Sequence, residues 1–284
     1  MFDFFMRRKE IVLDCLTFEP HVYNFAKIEY AKKYYPDWWI KTPSTFNVAD
    51  AANGMLASRK VNIHSTNKER LTIKHCAAFR NLYNKGIVIP SWFEFEWSIS
   101  NFADKNTKVR SSDSAFNINS GHSREQYGLF VDENFIHAKI SSPWKFSTNK
   151  KIYFSWNQPT WNYHQNNLFE LCVLPGVLDF YEQNETNINL LTRFKDKDHK
   201  IYIPALTPLV ILHPLTEQKI IIKNHLVSEK EWRSFNLIGN MIDCTVGENG
   251  LVENYYAFRS KREILMNKIG KLGYKKQING EHDG

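Results

Sequence analysis

The 284-residue sequence has no apolar run approaching 18 residues, so it offers no candidate membrane-crossing helix. It has only 12 glycines and no Gly-rich loop ahead of a helix, which leaves phosphate-cradling folds without support. Neither HExxH nor G-x-S-x-G occurs, so the zincin and nucleophile-elbow chemistries lack their signatures. The four cysteines, Cys15, Cys76, Cys172 and Cys244, are far apart and form no CxxC pair. Such spacing predicts neither structural zinc nor a disulfide framework, and it reads as buried thiols in a reducing compartment. The opening "MFDFFMRRKEIVLDC" carries its charge after a short apolar stretch, the reverse of signal-peptide order. The expected product is soluble and cytoplasmic, in the host cytoplasm if phage-encoded, with virion association as the alternative.

What the chain does have is apolar and aromatic mass. Hydrophobic residues make up 43% and aromatics 14%, with eight Trp and twenty Phe, enough for a packed core and outside the disordered range. The formal charge is +7, but acidic residues are interspersed with the basic ones. The densest basic clusters are "MRRK" at 6–9, "RSKR" at 259–262 and "KLGYKK" at 271–276. They form a terminal basic skirt without a recognised nucleic-acid motif, so nucleic acid is the less favoured partner.

Residues 10–18, "EIVLDCLTF", have strand composition, and 24–43 read as a short amphipathic helix ended by Pro36 and followed by Trp38 and Trp39. The polar stretch 44–68 reads as a mobile connection. "TIKHCAAFRNLYNKGIVIPSW" predicts a helix capped by Thr72, with Cys76, Phe79 and Leu82 at helical spacing, stopped by Gly86 before the strand "IVIP". "FEFEWSIS" at 93–100 alternates Phe93, Phe95 and Trp97 with Glu94 and Glu96, as a half-buried strand does. From there to about 227, short strand-like segments alternate with polar turns and no long helices intervene. This pattern predicts an antiparallel sandwich or barrel. Beyond it, Ser228 and Glu231 form a capping-box pattern, 251–272 reads as a helix, and the end, 279–284, reads as a disordered tail.

Four groups of side chains are candidates for chemistry. A non-haem iron site needs two histidines and a carboxylate on one side of a barrel. The chain has ten histidines, and none of those within the β-rich region has an acid two positions later, so such a site must assemble in space from His137, His164 and His213, with Asp179 converging. His213 lies between Leu212 and Pro214 at a strand exit, which favours a hydrogen-bonded structural role. Ser123 in "GHSREQYG" and Ser141 and Ser142 in "SSPW" lack a positioned base, and the apolar context of Cys172 would raise its pKa. Asp179 with Glu182, or Glu94 with Glu96, are carboxylate pairs of the kind glycoside hydrolysis uses. Trp92, Trp144, Trp156 and Trp161, with Trp97, are candidate sugar-stacking surfaces, against the simpler reading as core. Asp179, after the Pro175-Gly176 turn, either caps local amides or faces a pocket, and the cap is favoured.

The segments "YPDWWIKTP", "TIKHCAAFRNLYNKGIVIPSW", "KISSPWKFST", "LPGVLDFY" and "IPALTPLVILHP", in this order over residues 10–225, resemble an uncharacterised family of phage and bacterial β-rich proteins. The matching positions are Trp38, Cys76, Gly86, Pro90, Trp92, Pro143, Trp144, Pro175, Gly176, Asp179, Thr207, Pro208 and Pro214. Two departures stand out: Leu206 replaces the Gly that usually precedes "TPL", and "STNKK" replaces a "TPxG" turn. The resemblance implies a phage-type origin and a β-rich fold, and no catalytic assignment.

The sequence thus predicts a β-rich α+β fold. Its centre is an antiparallel jelly-roll sandwich with core strands in 87–227, joined by an N-terminal α/β segment within 1–227 and a helical extension over 228–278. The expected function is a non-catalytic binding or structural module acting through a sandwich surface, with no cofactor and no metal. A protein partner or self-association is expected, with carbohydrate as a further candidate. The alternatives are a metal-dependent or carbohydrate-active jelly-roll enzyme and nucleic-acid binding through the basic termini.

Overall fold

The computed structural model describes residues 10–47, 69–101, 106–111, 135–181, 183–193 and 199–235. Among them the strands are β1 (Ile11–Thr17), β2 (Glu29–Tyr30), β3 (Thr45–Asn47), β4 (Glu69–Leu71), β5 (Ile87–Pro90), β6 (Phe95–Asn101), β7 (Asn106–Ser111) and β8 (Phe135–Ile140). There follow β9 (Lys145–Thr148), β10 (Tyr153–Asn157), β11 (Leu171–Val173), β12 (Gly176–Asp179), β13 (Ile188–Arg193), β14 (Lys200–Ile203), β15 (Pro208–Pro214) and β16 (Ile220–Leu226). The helices are short: α1 (Pro20–Phe25), α2 (Asp37–Lys41), α3 (Ala77–Lys85), α4 (Thr160–Gln165) and α5 (Glu229–Ser234). The chain is therefore a strand-rich α+β fold.

The strands form a five-stranded sheet in the order β12-β10-β15-β5-β2, three three-stranded sheets, β16-β1-β9, β11-β13-β8 and β14-β6-β7, and the ribbon β3-β4. Every pairing between these strands is antiparallel except β1 with β16, which run parallel from Ile11 opposite Ile220 to Thr17 opposite Leu226. The core therefore begins at residue 11 and not near 87. β1 is an integral strand of it, because Ile11, Leu13 and Cys15 are buried on the same cluster as Phe146, Phe154, Trp156, Leu190 and Leu212. This cluster draws side chains from four of the five sheets, all but the β3-β4 ribbon.

Period-two alternation explains much of the burial. On the five-stranded sheet Phe154, Trp156, Ile87, Ile89, Val210 and Leu212 face the main core, while Val88 and Ile211 face the other way onto a second cluster under α3. The same rule corrects the expectation of uniformly buried thiols: Cys15 is buried, but Cys172 points outward between buried Leu171 and Val173, and Cys76 is exposed at the start of α3. Cys244 lies outside the described residues. The expected helix over 24–43 is instead α1, the short strand β2, a 3-10 turn at Ala31–Tyr34 and α2. Thr72 caps a 3-10 turn at Ile73–His75 by accepting from the Lys74 amide, and α3 starts after it at Ala77.

Leu206 sits at φ 64°, the left-handed region that costs a non-glycine residue about 1–2 kcal/mol. The bonds from its amide to the Ser91 carbonyl (2.9 Å) and from the Thr207 amide to the Pro204 carbonyl (3.2 Å) hold it there. At the C-terminal end, α5 has its capping box between Ser228 and Glu231, and Trp232 fastens it to the sheet. The indole nitrogen of Trp232 donates to the Pro143 carbonyl (3.1 Å), and its ring packs edge-on against Phe18. Beneath it lies the buried Lys145, whose ammonium donates to the Trp232 carbonyl (3.0 Å) 3.6 Å from the ring centroid. Burial pushes the pKa of Lys145 down to about 8. The expected helix at 251–272, the basic clusters at 6–9, 259–262 and 271–276, the stretch 48–68 and the tail at 279–284 lie outside the described residues.

Candidate functional site

The sequence-derived candidates are distributed through the fold as structural groups. His213 stands near the end of β15, and both of its ring nitrogens are engaged. The Leu82 carbonyl can only accept, so Nε2 carries the proton and donates to it (2.8 Å), and Nδ1 accepts from the Asn157 amide (3.0 Å). The neutral ring thus ties α3 to the outer face of the five-stranded sheet. His137, on a different sheet, donates from Nε2 to Asn189 Oδ1 (3.1 Å) on the neighbouring strand β13. His164 is exposed on α4 and packs against Phe169, ring centroids 4.7 Å apart. Among the described residues no three His, Cys, Asp or Glu side chains gather in a way that would hold a metal ion.

Asp179 takes the capping geometry. Its Oδ1 accepts from the Tyr181 amide (2.7 Å), its carbonyl accepts from the Gln183 amide (2.9 Å), and Lys151 Nζ lies 3.9 Å from Oδ2. Glu182 lies outside the described residues, as does Ser123. Glu94 and Glu96 lie on the solvated side of β6, where Tyr202 donates to Glu94 (2.6 Å) and Lys200 pairs with Glu96 (3.0 Å). Ser142 Oγ accepts from the Trp144 amide two residues on (3.1 Å), a local turn bond. Of the four candidate stacking tryptophans, Trp92, Trp144 and Trp156 are buried and only Trp161 is substantially exposed, at 38%. Eight Trp in a fold this rich in strands are mostly needed inside, and alternation along a strand cannot by itself say which one escapes.

The feature that sequence reasoning missed is the unequal cover of the five-stranded sheet. Its outer face carries Val88, Ile211, His213, Ser155, Asn157, Tyr153, Val177 and, opposite Tyr153, Asp179. Helix α3 covers the end made by β5 and β15, and the bond from His213 to Leu82 marks the border of that cover. Beyond it Tyr153, Val177 and Leu215 are exposed, at 48%, 57% and 57%. They are neighbours: Val177 pairs with Ser155 across β10 and β12, and the Leu215 amide donates to the Tyr153 carbonyl (2.9 Å). Among the described strands β12 is also the edge of the sheet, and no described atom lies within 4 Å of where a Gly176 side chain would stand. An edge strand with an apolar face beside it has the chemistry of a strand-pairing surface.

No protein-family model and no curated protein matches the chain.

The burial of His213 gives a pH dependence whose sign is fixed. Burial lowers its pKa below the ordinary 6.5, and the Leu82 carbonyl bond opposes that shift with a smaller effect. The unfolded ring takes up a proton near pH 6.5 while the folded ring resists, so this contribution to stability is present above 6.5 and is lost as pH falls through the folded pKa. Urea denaturation at pH 7.5 and at steps below 6.5 is expected to show wild type losing more stability than His213→Gln, which keeps a side-chain amide donor and has no proton to gain. Equal losses would show that His213 is not held neutral.

Proposed function

We propose that this protein is a non-catalytic binding or structural module of phage type, and that it self-associates through the open half of its five-stranded sheet. The observation that carries the reading is the adjacency of exposed Tyr153, Val177 and Leu215 to the edge strand β12. A second copy is the occupant best matched to it. Two β12 edges brought together antiparallel on a twofold axis satisfy each other's ladder groups and bring the two apolar faces together, as an isologous contact requires. Candidate catalytic groups that serve as caps, ties and cross-strand pairs are consistent with a module that acts by contact. A jelly-roll sandwich is the architecture we assign to it, since the main core is drawn from strands of four sheets.

Val177→Glu places a charge in the middle of the proposed contact without disturbing the core, because Val177 is exposed in the single chain. The expected result is a monomer with an unchanged circular dichroism spectrum and melting temperature at low concentration. A Val177→Glu variant that keeps the wild-type association state would remove β12 from the contact.

A further inference from the structure

Around the short helices α2, α3 and α4 an aromatic row runs from the second core out to the surface. Tyr35 stacks on Trp39 (4.0 Å between centroids), Trp39 meets Phe79 (5.7 Å), and Phe79 meets Trp161 (5.6 Å). Trp161 continues to His164 (6.3 Å) and Phe169 (4.7 Å from His164). The inner rings serve packing, since Phe79 is buried and Tyr35 and Trp39 are half-buried against it. The outer rings do not: Phe169 is 59% exposed and Trp161 38%.

The charge on the elements that carry this row is one-sided. The turn Ala31–Tyr34, α2, the turn Ile73–His75, α3 and α4 hold Lys32, Lys33, Lys41, Lys74, Arg80 and Lys85 against Asp37, and Glu170 beside Phe169, which pairs with His199, is the second carboxylate. Carboxylates elsewhere pair with two of these, Glu29 with Lys33 and Glu217 with Lys85. Lys74 reaches over the Trp39 ring (5.5 Å) and donates to the Ile40 carbonyl (2.9 Å), which places its charge beside the row. Across the whole chain basic residues exceed acidic ones only 37 to 30, so the six to two here is a local concentration.

We infer that this aromatic and basic surface binds single-stranded nucleic acid, with bases stacking on Trp161 and Phe169 and the backbone tracking the flanking lysines and Arg80. Exposed rings accept any base through its π-face, and interleaved cations neutralise phosphates, which together give sequence-tolerant, salt-sensitive binding. A duplex buries the base faces that the rings need and should bind less well. An acidic polypeptide would use the cations but leave Trp161 and Phe169 without stacking partners.

The test uses the full chain and a fluorescein-labelled dT20 oligonucleotide, read by anisotropy and by quenching of tryptophan fluorescence, with duplex DNA and polyglutamate as competitors. Expected are tryptophan quenching on binding and an affinity at least about tenfold lower for Trp161→Ala/Phe169→Ala. For Lys41→Ala/Arg80→Ala, the slope of log affinity against log salt should be about 1.4 shallower, at about 0.7 per lost phosphate contact on a single strand. Should the double ring variant lose its fold by circular dichroism, Phe169→Ala, which removes the more exposed ring, carries the same test. Absence of binding, binding unchanged by the ring variants, or equal competition by polyglutamate would each overturn the inference, the last in favour of an acidic protein partner.

Discussion

Trp144→Ala should lower the stability of the protein by about 3–5 kcal/mol, the usual cost of emptying a large aromatic site in a close-packed interior. Trp144 is fully buried, and its indole nitrogen donates to the Ala26 carbonyl (3.1 Å), joining the strand region to the chain after α1. Its own carbonyl accepts from the buried Thr186 hydroxyl (2.6 Å). The truncation removes the ring and also leaves the Ala26 carbonyl without a donor, so Trp144→Phe should recover part of the loss and not all of it. Since native domains are stable by only about 5–15 kcal/mol, the urea midpoint should move by a large fraction of its value. The contrasting outcome is informative: a variant as stable as wild type would mean that the ring is dispensable to the core and free for a ligand.

The second large effect is expected at Gly86. A Cβ built there meets the Leu82 carbonyl oxygen at 2.6 Å, the Ile211 side chain at 2.6 Å and the Ala31 Cβ at 3.0 Å. The sequence suggests a helix-stopping glycine, and α3 does end there, but its φ of −77° is open to any residue. What demands glycine is the close approach of α3, β15 and the 3-10 turn, and the Gly86 carbonyl also accepts from the Ala31 amide (2.8 Å). Gly86→Ala is therefore expected to cost about 1–3 kcal/mol, since a backbone oxygen cannot swing aside as a side chain does. For a chain of this size that is a fall in melting temperature on the order of 2–12 °C. A melting temperature equal to that of wild type would contradict the packing described for α3 on the sheet.

The strands were legible because alternation is a local signal. "FEFEWSIS" yields the buried Phe95 and Trp97 and the solvated Glu94 and Glu96 as its pattern requires, and "IVIP" forms β5 where the turn at Gly86 places it. Asp179 caps the turn that follows β12, at the Tyr181 amide, and not a turn at Pro175-Gly176, since Gly176 is the first residue of β12. The parallel pairing of β1 with β16 was not legible, because no periodicity within either strand names a partner some 210 positions away. Nor was the open face of the sheet. "PGVLDF" reads as an ordinary strand, and only the assembled order, with β12 at the edge of the described sheet and α3 over the opposite end, leaves Val177 exposed. Trp161 differs from Trp156 for the same reason, since helix α4 holds one at the surface and the middle of the sheet buries the other.

The aromatic row shows the same limit. Trp38 and Trp39 are adjacent in sequence, but Phe79 and Trp161 reach them from two other helices, so the row exists only in the fold. The basic residues around it are likewise scattered along the chain, which is why the sequence draws attention to the terminal clusters instead.

Light scattering of the wild-type protein over a concentration series tests the central claim, contact through β12, most directly. The expected mass is twice the 33.5 kDa of one chain, falling towards one chain on dilution, and one chain at all concentrations in Val177→Glu. A wild-type mass of one chain throughout the series would contradict it.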